Sequence, residues 1–325
     1  MKVRILAICL SLVVAAVLGA VTTGRTWLSG TGAQSSAAAK ASVNTPQHVV
    51  FTVTGIVTDN LALFHQRCRC HPNVVVHYIH WGEPPEKTKL VADSITAGSA
   101  VPMMELEPFG VSLPGIAEGR HDSYLLRCAS VLRNLHTHVL MSFEPESNGT
   151  WYSWGYTHVK PAVEIAAWRH VVQLFRHAGA GNVTWVWIAN VTYRGSGPIA
   201  ALWPGRRYVD KVGIDGYFHS ARATFSSVFG PTLAMLRRIT DKPALISETA
   251  ADPAVGQPRV LGQLAAGVVE YELAGFIWFD IDQTGQHGQD KADWSIDDNP
   301  PALGAYREIS NTHRLAFVNI QKLCS

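Results

Sequence analysis

Charged residues are scarce in this chain, and neither sign dominates. Asp, Glu, Lys and Arg make up only 16% of the 325 residues, whereas apolar residues make up 47%. This composition excludes extended disorder, because it supplies enough apolar surface for a large core. Lys and Arg number 27 against 25 for Asp and Glu, so no basic surface for nucleic acid is expected. The balance suits an uncharged partner.

Cysteine is also rare, since the chain contains only five. Cys9 lies within the N-terminal apolar run, and the other four allow up to two disulfides in an oxidising compartment. Three full pairings of those four are open. Zinc needs several Cys or His ligands at short intervals, and the sequence lacks such a set. No metal site and no cofactor are expected. The four remaining cysteines are Cys68, Cys70, Cys128 and Cys324.

A long hydrophobic run is missing except at the N-terminus. Lys2 and Arg4 precede an apolar run over residues 5–18 and then small residues, which is the order of an export signal. The run is short for a spanning helix of about 20 residues, but an uncleaved anchor stays open as the alternative. Small and polar residues follow, as in a flexible linker. We therefore expect a signal peptide or membrane anchor over 1–23, a linker over 24–47 and a secreted or extracytoplasmic domain over 48–325.

Apolar runs of strand length alternate with segments of helical period, which predicts parallel strands covered by helices. The strand candidates span residues 49–57, 74–81, 101–107, 138–143, 183–190, 209–215, 244–248 and 275–280. Helices are predicted over residues 116–135, 159–177, 231–239 and 261–273. Eight strands in a mature region of this size predict an α/β fold, a (β/α)8 TIM barrel of about 250 residues in a single domain. No internal repeat is found.

Polar residues at the ends of predicted strands are the candidates for chemistry, because barrel active sites lie at the carboxyl ends of the strands. Glu146 follows the fourth strand and Glu248 ends the seventh, and these strands face each other across a barrel mouth. Glycosidic cleavage needs a carboxylic acid to protonate the leaving oxygen and a second carboxylate. This pair therefore predicts a glycosidase. Other strand-end candidates for substrate binding are Glu107, Asn190 and Asp215.

A motif Pro-Glu-Ser-Asn-Gly at residues 145–149, followed by Trp151 and Tyr152, comes after the fourth predicted strand. Together with segments further along the chain, it resembles glycoside hydrolase family 26, the β-mannanase family. The family motif at this strand is His-Glu-Met-Asn-Gly followed by an aromatic pair. The further matching segments, in the same order as in the family, are residues 185–190, 208–210, 212–217, 246–248 and 293–294.

The resemblance implies a retaining hydrolase with Glu146 as the acid/base and Glu248 as the nucleophile. It places Tyr217 beside the nucleophile, where a phenol holds the carboxylate ionised. Trp151 matches a family tryptophan near the cleavage site. Aromatic faces suit pyranose rings, so tryptophans at strand ends are further candidates for substrate binding. These are Trp81 at the second strand and Trp278 at the eighth.

The chain departs from the family at two positions. Where family members carry an arginine four residues before the acid and a histidine immediately before it, this chain has Ser142 and Pro145. Neither replacement offers the lost donor, so we expect a subsite unlike that of a mannanase and weak activity on plain β-1,4-mannan. Glu144 is an additional carboxylate. It would share the side of Glu146 if the strand continued that far, and would then either contact substrate or compete for the role of acid.

Three functions are consistent with these features. The leading hypothesis is a secreted retaining endo-hydrolase of a β-linked polysaccharide, either β-mannan or a related β-glycan. The second is a glycosidase that acts on the organism's own surface polysaccharide, and the third is a carbohydrate-binding barrel that has lost catalysis. Two opposed carboxylates favour an enzyme, because a binding module does not need them. The expected partner is a polysaccharide, and the expected state is a monomer.

Overall fold

The computed structural model describes residues 53–284 and 292–315, with side chains described as far as residue 312. Within these residues, eight parallel strands close into a barrel in the order of the chain. The predicted N-terminal segments 1–23 and 24–47, as well as Cys324, lie outside the described residues. The fold is therefore the predicted (β/α)8 TIM barrel.

All eight predicted strands are present, and three of them have the predicted bounds. The sixth begins later than predicted, at Lys211, because a 3₁₀ turn over Arg206–Tyr208 precedes it. The strands are β1 (Val53–Thr58), β2 (Val74–His80), β3 (Val101–Glu107), β4 (Val139–Phe143), β5 (Val183–Asn190), β6 (Lys211–Asp215), β7 (Ala244–Thr249) and β8 (Gly275–Asp280).

The helices differ from the prediction mainly at their ends. The segment predicted as one helix over 116–135 forms two helices, and Gly119 between them has a left-handed φ of 79°. The helix predicted from Pro231 begins at Phe225, because Thr224 and Ser227 form a capping box there. The helices are α1 (Leu61–Cys68), α2 (Pro85–Ala97), α3 (Leu113–Ala117), α4 (Asp122–Arg133), α5 (Pro161–His177), α6 (Ile199–Leu202), α7 (Phe225–Ile239), α8 (Gln257–Glu270) and α9 (Pro300–Leu315).

Strand periodicity decides which side chains reach the barrel interior. Every residue of β3 is buried, as expected for a strand covered on both faces. Its side chains alternate, so Glu105 and Glu107 point into the barrel mouth while Leu106 points towards the helices. The register aligns Tyr78 and His80 of β2 with these two glutamates. Polar groups on neighbouring strands thus converge at one end of the barrel.

The cysteines of the described residues form one disulfide. Cys68 and Cys70 form a disulfide at the C-terminal end of α1, and Cys128 is a buried free thiol. Burial raises the pKa of the Cys128 thiol to about 11, so it is protonated at neutral pH. No described helix combines the length and the apolar composition needed to cross a membrane.

Candidate active site

A pocket at the carboxyl ends of the strands is dominated by acidic side chains. Carboxyl groups from β3, β6, β7 and the loop after β4 converge on it, and two tyrosines and a proline complete its wall. The lining residues are Tyr78, Glu105, Glu107, Pro145, Glu146, Tyr152, Asp215 and Glu248. None of the described residues that line this pocket is a Lys or an Arg. The described residues contain no group of three or more His, Cys, Asp or Glu arranged to hold a metal ion.

The backbone after β4 directs Glu146 into the pocket. The strand ends at Phe143, and Glu144 and Glu146 both adopt left-handed φ angles, of 46° and 56°. Such angles are uncommon for residues other than glycine and store strain, which often occurs at functional sites. Backbone hydrogen bonds hold the turn, because the Glu144 amide donates to Leu106 and the Glu146 amide donates to Ile188.

Glu146 is fixed by two side-chain donors. Trp151 Nε1 donates to one carboxyl oxygen at 3.1 Å, and Asn190 Nδ2 donates to the other at 2.5 Å. Asn148 in turn pairs with the backbone of Asn190, accepting from its amide at 2.8 Å and donating to its carbonyl at 2.9 Å. Burial, and then the nearby charge of Glu248, raise the pKa of Glu146 to about 8 in spite of these donors. Glu146 is therefore a protonated acid at neutral pH.

Gly149 explains how Trp151 reaches Glu146. A Cβ atom at position 149 would lie 2.6 Å from the indole ring, so only glycine lets the ring fold back over the loop. The ring also stacks on Tyr193, with centroids 5.8 Å apart. The Asn-Gly pair of the motif therefore positions the two donors to Glu146. Asn148 holds the backbone of Asn190, and Gly149 leaves space for the ring of Trp151.

Glu248 faces the same pocket and is held differently. The phenols of Tyr217 and Tyr78 each donate a hydrogen bond to one of its carboxyl oxygens. Burial raises the pKa of Glu248, and these two hydrogen bonds oppose the rise because they favour the charged form. The register of β6 and β7 shifts beside Asp215, so that Asp215 pairs with Glu248. Two phenols thus favour the ionised form of Glu248.

Two further carboxyl groups lie beside this pair. Asp215 is buried and accepts a hydrogen bond of 2.5 Å from Ser247, and burial followed by the charges of Glu248 and Glu146 raises its pKa well above the usual range. Glu107 pairs with His80, whose Nδ1 lies 3.1 Å from a carboxyl oxygen. That contact raises the pKa of His80 and favours its charged form.

Most of the predicted site residues come together, but three do not lie where the sequence suggested. The strand does not continue to Glu146, so Glu144 turns away from the pocket and is buried near Glu164 of α5. Trp278 is 0% exposed and donates to the Trp294 carbonyl, so it cannot form a sugar platform. Trp81 packs against His121 and Tyr124 and is not part of the pocket wall.

Sequence reasoning missed two residues of the pocket wall, Tyr78 and Glu105. Both lie two positions before a strand end, inside an apolar run, whereas the strand-end rule selects only the last residue. The available signal was the alternation of the strand, because residues two apart share a face. Glu107 ends its strand at the barrel mouth, so Glu105, two residues earlier, points to the same interior face at a greater depth.

We predict that the protein is most stable in mild acid. The folded-state pKa values of Glu144 and Glu164 are raised, that of Glu164 to about 8, so the folded protein binds more protons than the unfolded chain. The free energy of unfolding therefore falls as the pH rises from about 4.5 to about 8. We expect the Tm to be lower at about pH 8 than at about pH 5 by at least about 4 °C. Glu144→Gln should reduce this difference. An equal or higher Tm at the alkaline pH, measured by circular dichroism, would contradict the prediction.

The sequence and the fold both match known glycosidases. Residues 109–261 match the model of glycosyl hydrolase family 26. This match covers just under half of the chain, and over that stretch the chain resembles the family. Over 257 residues it is 30% identical to Endoglucanase H of Acetivibrio thermocellus, an alignment that covers 73% of this chain and 27% of that protein. The chain thus spans about a quarter of the length of this relative.

Solved structures of the family share the barrel. A β-mannanase of family 26 from Bacteroides ovatus superposes with a TM-score of 0.58 at 13% identity, over 81% of this chain and 87% of that one. The catalytic domain of an endo-β-1,4-mannanase from Bacillus sp. JAMB-750 gives a TM-score of 0.62 at 14% identity, over 81% and 86%. At these identities the likeness supports the fold alone.

Proposed function

We propose that this chain is a retaining endo-glycoside hydrolase that cleaves a β-linked glucan, with Glu146 as the acid/base and Glu248 as the nucleophile. One observation carries the proposal: two buried carboxyls line the same pocket, and their surroundings favour the proton on Glu146 more than on Glu248. The pKa of Glu146 is raised to about 8, whereas two phenols donate to Glu248 and favour its ionised form. Pairs whose environments push the protonation states apart are typical of glycosidase acid and nucleophile pairs.

The proposed reaction has two displacement steps. In the first, a Glu248 oxygen attacks the anomeric carbon, the glycosidic C–O bond breaks, and the Glu146 proton moves to the leaving oxygen. This step leaves an ester between the sugar and Glu248. In the second, the ionised Glu146 takes a proton from water, the resulting hydroxide attacks the anomeric carbon, and the ester bond to Glu248 breaks. The enzyme regains its starting protonation state.

The coupling between the two carboxyls fits this sequence of steps. The negative charge of Glu248 raises the pKa of Glu146, which keeps Glu146 protonated while an acid is needed. Once Glu248 is esterified, that charge is gone and the pKa of Glu146 falls. Glu146 is then suited to act as the base. A single residue thereby serves both steps without a change of position.

The wall beside the acid supports a glucan rather than a mannan. Pro145 lines the pocket and has neither a ring nitrogen nor an amide hydrogen to donate, and Ser142 is fully buried. The relative of 30% identity is an endoglucanase. The reacting-sugar subsite is therefore built from carboxyls and phenols, and its hydroxyl pairing differs from that of a site with arginine and histidine.

A reducing-sugar assay on a panel of polysaccharides tests the proposed substrate. We expect the highest kcat/KM on a soluble β-1,4- or mixed-linked glucan, and at least about 10-fold less on plain β-1,4-mannan, since one unmatched buried polar group costs about 1–3 kcal/mol. Activity on mannan at or above about 10⁴ M⁻¹s⁻¹, with glucan no better, would refute the preference. A purified surface polysaccharide from the source organism belongs on the panel, because the altered subsite leaves that substrate class open.

We further propose that residues 1–23 direct export and that the enzyme acts outside the cytoplasm, as a monomer, either released or tethered to the membrane. The proposal is supported by the charged, apolar and small-residue order at the N-terminus. N-terminal sequencing of the protein recovered from the medium and from membranes distinguishes cleavage from tethering. Recovery of the full-length chain in the cytoplasm alone would contradict export.

A further inference from the structure

Glu105 is a buried acid for which the two-step reaction has no role. It lies on β3, two residues and about 6–7 Å deeper in the barrel than Glu107. Its side chain lines the same pocket as Glu146 and Glu248, and the residue is only 2% exposed. An acid at this depth is expensive to bury, so its retention calls for a physical reason.

The protein does not satisfy this carboxyl. Among the described residues, burial and the charges of other carboxyls act on the pKa of the Glu105 carboxyl, and no hydrogen bond contributes to it. Its register partners, Tyr78 and Ser142, carry no positive charge. The Glu105 side chain therefore lines the pocket that also holds the proposed acid and the proposed nucleophile, without a hydrogen-bonding partner of its own in the described part of the chain.

The surroundings of Glu105 disfavour its charged form. Burial, followed by the charges of Glu248, Glu107 and Glu146, raises the pKa of Glu105 well above its usual range. A neutral carboxylic acid has one O–H donor and free acceptor lone pairs. A sugar hydroxyl has the same two capacities, so the two groups can exchange a pair of hydrogen bonds. A carboxylate in this position would offer acceptors alone and would add a further negative charge beside that of Glu248.

We propose that Glu105 is a substrate-binding residue, which in its protonated form exchanges hydrogen bonds with a hydroxyl of the reacting sugar at the floor of the pocket. The inference rests on the proposed glycosidase function and adds to it a determinant of which sugar is accepted. A sugar that directs a hydroxyl to the barrel axis satisfies Glu105. A sugar without that hydroxyl leaves the acid buried and unpaired, which lowers its kcat/KM.

Two variants of similar size test whether Glu105 acts through hydrogen bonds of an uncharged group. Glu105→Gln keeps a donor and an acceptor without charge, and we expect its kcat/KM on the best glucan to stay within about 5-fold of the wild type. Glu105→Met keeps the volume but removes both capacities, and we expect a loss of about 30- to 100-fold. The Tm of the methionine variant should equal or exceed that of the wild type, because an unsatisfied buried carboxyl is removed.

Substrates that lack single hydroxyls identify the contact. One deoxy substrate should lower kcat/KM of the wild type more than the others, because it lacks the hydroxyl that Glu105 binds. The same substrate should have little effect on Glu105→Met, in which that contact is already lost. A purely structural role of Glu105 would not make the effect of one missing hydroxyl depend on this side chain. Equal damage from Gln and Met, or a fully active Met variant, would overturn the inference. If Glu105→Met does not fold, Glu105→Leu takes its place in the assay. Loss of the fold in both variants would show that the carboxyl stabilises the barrel without substrate. That result would also overturn the inference. A wild type inactive on every glycan would instead refute the proposed function, and the inference with it.

Discussion

Glu248→Ala is expected to reduce turnover by at least about 10⁴-fold while the barrel stays folded. The reason is that the first step has no nucleophile without this carboxylate, and the alanine leaves room that water alone fills. Glu248 contributes little to folding, because burial raises its pKa and so opposes the charged form. Initial rates on the best glucan of the panel, together with circular dichroism, measure both effects.

Azide supplies a sharper test of the same variant. A small anion that fits the space left by Glu248 attacks the anomeric carbon once, from the face opposite the leaving group, and yields a glycosyl azide of inverted configuration. Glu118→Gln is a matched control, since its carboxyl lies in an exposed pair with Arg120 and its removal should leave the rate unchanged. Near-normal turnover of Glu248→Ala would show that the nucleophile is another residue.

Glu146→Ala is expected to lose about 10²- to 10⁴-fold on a natural glucan and far less on an aryl glycoside. An alkoxide leaving group needs the Glu146 proton, whereas a nitrophenolate leaves without it. Because both variants lose activity on glucan, the leaving-group dependence separates the acid from the nucleophile. Azide should again restore turnover, but here it replaces water in the second step, so the glycosyl azide retains the configuration of the substrate.

The same variant changes the pH profile. In the wild type the acid must be protonated, so kcat/KM on glucan should fall as the pH rises through about 8, the raised pKa of Glu146. On the acidic side activity falls as Glu248 becomes protonated, and both limbs are properties of the coupled pair. The alkaline limb should be absent in Glu146→Ala assayed on the aryl glycoside. An unchanged alkaline limb would show that another group supplies the proton.

The barrel was predictable because its strands are continuous apolar runs with polar ends. Periodicity alone located all eight strands, and facing strand ends paired Glu146 with Glu248. The turn after β4 was not predictable, because two glutamates in the left-handed conformation break the alternation that placed Glu144 beside Glu146. Local rules describe L-residues in their common conformations, and strained sites are the exceptions.

The aromatic residues show a second limit of sequence reasoning. Trp151 follows β4 and Trp278 lies near the end of β8, yet Trp151 donates to Glu146 while Trp278 is fully buried and donates to a backbone carbonyl. Which tryptophan reaches the pocket depends on packing against distant segments such as the one containing Trp294. Tyr78 was missed for a related reason, since its role depends on Glu248, which lies 170 residues away in the chain.

In the proposed reaction Glu248 forms a covalent bond with the sugar, and trapping of that intermediate is the most direct test. A fluorine next to the anomeric carbon slows both steps, and a fluoride leaving group restores the first, so such a sugar accumulates on the nucleophile. We expect mass spectrometry of the digested enzyme to find one added sugar on the peptide that contains Glu248, and no label in Glu248→Ala. A label on Glu107, Glu146 or Asp215, or inverted product with no label at all, would contradict the account.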